Sequence, residues 1–158
     1  MRAAIGRRTM GVALLTALAL LPAAGCGDDV KPRNAYVDQV NSAQRRFVAS
    51  FERLSSQITR SSTRAQDRRT LEGFDEAIGE TVSELGDIEP PGEVRSLHAR
   101  LTREIAGYGE VVREARDALS SRSPEAIAAA QAELAKHTSK ASAAVGRTID
   151  QINARLRE

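Results

Sequence analysis

The chain has 158 residues, 41% hydrophobic and 28% charged, with one cysteine, no tryptophan and a formal net charge of +2. That length suits one domain with a real core, and one cysteine excludes both an intrachain disulfide and a multi-cysteine metal site. Three of the 23 basic residues, Arg2, Arg7 and Arg8, lie in the first 25 positions, where there is no acid, so residues 26–158 hold 20 basic against 21 acidic groups. No bulk positive charge remains there to argue for nucleic acid or an anionic membrane face as a partner.

The three arginines lead into an uncharged run from Met10 to Leu21, apolar apart from Thr16. At twelve residues it is well short of the roughly 20 that cross a bilayer as a helix. A basic lead, a short apolar centre and a small-residue exit through Ala23, Ala24 and Gly25 make the pattern of an export signal. Leu21-Pro22-Ala23-Ala24-Gly25-Cys26 resembles the lipobox of bacterial lipoproteins, with Ala23 in place of the usual leucine and Pro22 before it. The resemblance covers residues 1–26. It implies that Cys26 takes a diacylglycerol on sulfur, that cleavage leaves it as the first residue, and that the lipid anchors the exported chain to the outer face of the bacterial cell membrane. The alternative is an ordinary secretory signal cut near Gly25, which leaves a free thiol. On the lipoprotein reading, 1–25 is the signal peptide, 26–32 the lipidated cysteine with a short polar tether, and 33–158 a helical domain. The six tether residues after Cys26 reach about 20 Å at most, so the domain sits close to the membrane.

Four amphipathic helices follow. The first, about Arg33 to Thr59, carries Tyr36, Val40, Ala43, Phe47, Phe51, Leu54 and Ile58 at steps of three and four. Ser61-Ser62-Thr63 interrupts that pattern, and Thr63 with Gln66 fits a capping box. A second helix then runs to about Asp87 with Leu71, Phe74, Ile78, Thr81 or Val82, and Leu85 on one face. One unbroken helix through the serines is the alternative. Glu89-Pro90-Pro91-Gly92 ends the second helix. The third, to about Ser120, places Val94, His98, Leu101, Ile105, Tyr108, Val112, Ala115 and Leu119 in a coiled-coil-like heptad. Ser123-Pro124-Glu125 starts the fourth with an N-cap serine, a first-turn proline and an acid on the helix dipole. Its stripe from Ile127 to Leu156 is rich in alanine and has no aromatic residue, so a neighbour can approach closely. Short connections make the expected fold an all-α, antiparallel up-down four-helix bundle, or three long helices if the first two are broken differently. The stretch from Pro90 to His98 is similar to a turn and helix start in small helical domains of bacterial lipoproteins, which implies no activity.

The sequence offers no credible catalytic set. The di-iron carboxylate bundles use Glu-x-x-His on two helices, and this chain has none. His98 and His137 fall about eight residues apart in level on a helical hairpin, some 12 Å, too far to share one ion. Gly107-Tyr108-Gly109 lies within a helix, not after a strand, and carries no phosphate-loop meaning. The two glycines read as local softness or as room for a neighbour, and more sharply as a ligand gap beside Tyr108. The cluster Arg64, Arg68, Arg69 reads as a solvated corner partly paired with Asp67 and Glu72, or as a contact for an anionic polymer. The expectation is a non-enzymatic binding or scaffold module of the cell envelope with no cofactor and no metal. Its partners are the membrane, through lipid on Cys26, and a protein or envelope polymer, with helix 4 a candidate face for a second copy. The alternative is a small-ligand or metal-binding sensor with Tyr108 and a histidine lining the pocket.

Overall fold

A computed structural model describes residues 30–59, 61–121 and 123–158, so Cys26, the lipobox-like stretch before it and the expected tether as far as Asp29 lie outside the described residues. The described chain is all-α: α1 Val30–Ser55, α2 Arg64–Gly86, a 3-10 turn Gly92–Val94, α3 Arg95–Ala118 and α4 Pro124–Arg157. Among the described residues there is no strand, and no helix is long and apolar enough to cross a membrane.

The break between α1 and α2 falls where the hydroxyl-rich stretch predicts it. Thr63 N–H donates to Gln66 Oε1 at 2.7 Å, and Gln66 N–H donates to Thr63 Oγ1 at 3.3 Å, closing the capping box. The preceding turn is held by side chains that compete with helical backbone bonding. Ser56 Oγ donates to Arg53 O at 2.7 Å, and Thr59 N–H donates to Ser62 Oγ at 3.2 Å. These bonds end α1 four residues before Thr59, which leaves Ile58, expected on the buried stripe, 46% exposed. At its other end α1 begins at Val30, ahead of Arg33, with Lys31 and Pro32 in its first turn. Proline is tolerated there because first-turn amides have no intrahelical partner.

The prolines after α2 act as expected, but α3 does not follow them directly. Pro91 caps the 3-10 turn instead, and the turn drives Val94 into full burial. Ser123 caps α4 as predicted, its Oγ accepting from Ala126 N–H at 3.2 Å, with Pro124 as the first helical residue.

The helices run up, down, up, down, and α1 packs on α2, α2 on α3, and α3 on α4. One apolar cluster sits at the end that carries the start of α1, around Tyr36, Val37, Leu101, Ile152 and Leu156. The other sits at the far end, around Leu54, Phe74, Ile78 and Val112. Gly109 allows close approach in the second: a Cβ there would meet Ile78 Cγ2 at 3.2 Å. Charged groups stitch the same seams from outside. Asp75 of α2 accepts from Arg113 of α3 at 2.7 Å, which holds the guanidinium charged above its ordinary range, and Arg46 donates to Glu84 at 2.7 Å between α1 and α2.

The seam between α1 and α4 is different. It is closed at the N-terminal end of α1, where Arg33 donates to Leu156 O at 3.1 Å and pairs with Glu93 at 2.9 Å. Thr148, Ile149, Ile152 and Leu156 of α4 are buried there. Further along, α1 and α4 do not pack closely, and Ile127, Leu134, Ala141 and Val145 stay half-buried. The stripe predicted along all of α4 is thus fully covered only in its last third.

Candidate functional site

The open part of that seam is a slot into the bundle core. Its volume is about 120 Å³. From α1 it is walled by Val40, Ala43, Phe47 and Phe51, from α3 by Leu101, Ile105 and Tyr108, and from α4 by Ala141, Ser142, Val145 and Ile149. Thr81 and Leu85 of α2 form its floor. The lining follows from the sequence pattern. Stripe positions on α1 and α3 bring large side chains inward at every turn, whereas α4 supplies alanine and serine at the same level. Phe51 is drawn toward α2 by Phe74, with ring centroids 5.0 Å apart, and Phe47 lies 6.0 Å from Phe51. The aromatic rings therefore line the slot without plugging it.

Polar groups on the lining are few, and most are occupied. Thr81 Oγ1 donates to Ala77 O at 2.8 Å. Thr138 Oγ1 donates to Leu134 O at 2.7 Å, so in its 3.0 Å contact with Tyr108 it accepts from the phenol. Burial pushes the Tyr108 hydroxyl above its ordinary range, and it stays neutral. Glu104 is the single charged residue on the slot wall. Its Oε2 accepts from Thr148 Oγ1 at 2.9 Å, and Thr148 in turn accepts from Arg100 Nε at 3.1 Å. Arg100 also donates to Gln151 at 2.6 Å, so the carboxylate belongs to a strap between α3 and α4. What remains on the lining is neutral: Gln44 and Ser142.

Gly107 and Gly109 have opposite surroundings on either side of Tyr108. Gly109 serves the α2 contact, while a Cβ on Gly107 would meet nothing within 4 Å. Gly107 borders a second, shallower depression of about 230 Å³ on the outer face of the α3–α4 seam, with Val111, His137, Lys140 and Ala144. Tyr108, Glu104 and Ala141 are common to both.

The histidines are far apart in environment. His98 is buried among α1, α2 and α3, its Nε2 donating to Leu85 O at 2.9 Å and its Nδ1 accepting from Tyr36 OH at 3.2 Å. His137 lies at the α4 surface, 3.3 Å from Glu133. Among the described residues no group of three His, Cys, Asp or Glu side chains could hold a metal ion. The basic corner is tied to the neighbouring loop: Arg64 donates to Ser121 O at 3.3 Å and Arg68 to Ser120 Oγ at 3.4 Å. Asp67 accepts from Ser62 at 2.6 Å. Cys26, the lipidation candidate, lies outside the described residues.

Sequence reasoning offered a gap beside Tyr108 as an alternative to local softness and did not find the gap's other walls. The available signal was the run of small residues on α4, Ala141 and Ser142, opposite Phe47 and Phe51. Comparison with family models, curated proteins and solved structures found no match to this chain.

Proposed function

We propose that this protein is a non-enzymatic binding module of the bacterial cell envelope, held at the outer face of the membrane by lipid on Cys26, and that its binding site is the slot between α1 and α4. The slot carries the reading. A slot of about 120 Å³ walled almost wholly by carbon offers water few partners, and an apolar guest gains contacts that water cannot make. Most polar groups on its wall are already bonded to the protein, and the rest, Gln44 and Ser142, are neutral, with no charged or imidazole partner on the lining beside them other than Glu104, which is itself bonded to Thr148. The basic lead, short apolar run and Leu21–Cys26 motif support the anchor. A domain that starts a few residues after Cys26 would then work within reach of the bilayer surface.

Two measurements test the two parts. Cys26→Ser should shift the exported chain from the membrane to the soluble fraction, and unchanged membrane association would overturn the anchor. A small phenyl-diazirine photoprobe, applied to membranes that carry the full chain, should label peptides bearing Phe47, Phe51, Tyr108 and Ala141. Labelling confined to other surfaces would remove the slot as a binding site.

A further inference from the structure

The shape of the slot narrows its occupant. Its wall on α1 extends from Val40 to Phe51, and on α4 from Thr138 to Ile149. Each span is eleven residue steps, or ~16 Å of helix. Spread over that length, 120 Å³ is a narrow track, open along one side, with room for no more than one hydrocarbon chain. A second copy of this chain, or any partner helix, has a diameter of about 10 Å and does not fit. A fused-ring ligand such as a sterol is too wide for the same reason. A single alkyl chain matches the length and the apolar lining together.

The polar groups say where its head lies. No lysine or arginine lines the slot, and the one charge on its wall, Glu104, repels an anion. A carboxylate or phosphate head is therefore not drawn inside. Gln44, Ser142 and Thr138 make a neutral rim that leaves a head in water. Recognition rests on the tail.

We propose that the slot binds one linear acyl chain of a single-tailed envelope lipid, with the tail along α1 and α4 and the head at the neutral rim. This rests on the slot being the binding site. It adds the ligand class and the stoichiometry of one chain per bundle.

The test uses the full chain in its membrane with a long-chain fatty acid that carries a diazirine at the far end of the tail. After irradiation, the label should map to peptides bearing Phe47, Phe51, Tyr108 and Ala141. It should fall at least tenfold in Ala141→Phe, which places a ring in the track. Ala129→Phe, on the exposed side of α4, should label like the wild type. If Ala141→Phe does not accumulate folded, competition on the wild type decides the matter: unlabelled hexadecanoic acid should displace the probe, and a sterol should not. Slot labelling by the small phenyl probe without labelling by the fatty acid would overturn the acyl-chain assignment while leaving the slot as a site. Equal displacement by the sterol, or undiminished labelling in folded Ala141→Phe, would also overturn it. Failure of both probes to reach the slot would remove the site itself.

Discussion

Tyr36 and His98 meet edge to face, with ring centroids 5.6 Å apart and an interplanar angle of 67°, and the phenol donates to the imidazole Nδ1 at 3.2 Å. The opposite ring nitrogen donates to Leu85 O at 2.9 Å, so one histidine ties α1, α3 and the end of α2 together. Tyr36 is 1% exposed and His98 6%, so no water replaces either bond. A buried acceptor left without its donor costs about 1–3 kcal/mol. Tyr36→Phe keeps the ring contact and removes the donor to Nδ1. It should lower unfolding stability by about that amount in urea titration, with helicity unchanged. A loss under ~0.5 kcal/mol would mean that the hydroxyl bond contributes little to holding this end of the bundle.

The two tyrosines also set an alkaline limit. Burial raises both phenols above their ordinary value of about 10, Tyr36 the more clearly. Below pH ~10 both folded and unfolded chains hold these protons, and stability does not depend on them. Above it, the unfolded chain releases them first, so stability falls as pH rises. The chain has only two tyrosines and no tryptophan, so tyrosinate absorbance reads these groups directly. In the folded protein it should lag behind that of the chain in urea, and unfolding should accompany its rise. Ordinary titration near pH 10 with helicity intact would contradict the burial of both rings.

The glycines flanking Tyr108 should respond differently to the same change. Glycine within a helix costs about 0.5–1 kcal/mol against alanine. Gly107 has open space where a Cβ would go, so Gly107→Ala should raise stability by about that amount. At Gly109 the new methyl would press on Ile78 Cγ2 from 3.2 Å, which offsets part or all of the gain. The urea midpoints should rank Gly107→Ala above Gly109→Ala. The reverse order would place the α2–α3 contact on the wrong glycine.

Much of this fold was legible in the sequence, and the misses share a cause. Caps and periodicity are local, and they located the α1–α2 break at Thr63, the start of α4 at Ser123, and buried positions such as Val40, Ile78 and Leu101. What periodicity cannot say is how far two stripes stay in contact. Ile58 continued the pattern but lies beyond the helix that would have buried it. The alanine-rich stripe of α4 did invite close approach, and α3 supplies it, yet α1 does not close on the other side. Gly73, whose added Cβ would meet Leu54 Cδ2 at 2.8 Å, drew no notice because a lone helical glycine has no signature. The slot arises from that mismatch: two aromatic residues on α1 face small ones on α4, and a distance between non-neighbouring helices is not written in either helix alone.

Whether the slot is preformed space or merely loose packing can be read from the sign of one substitution. Ala141 is half-buried on the slot wall. If the space exists in the folded chain, Ala141→Leu adds apolar atoms to it without displacing others, at roughly 0.8 kcal/mol per buried methylene. A net gain of about 1 kcal/mol is expected, because the slot is open on one side and burial is partial. If the helices instead close on one another in solution, the same change overpacks the seam, and overpacking costs about 1–3 kcal/mol. A higher urea midpoint for Ala141→Leu, together with weaker acyl-probe labelling, is the outcome a preformed ligand track requires. Stability and binding would then move in opposite directions at one residue, as they do where a protein keeps its core incomplete for a guest.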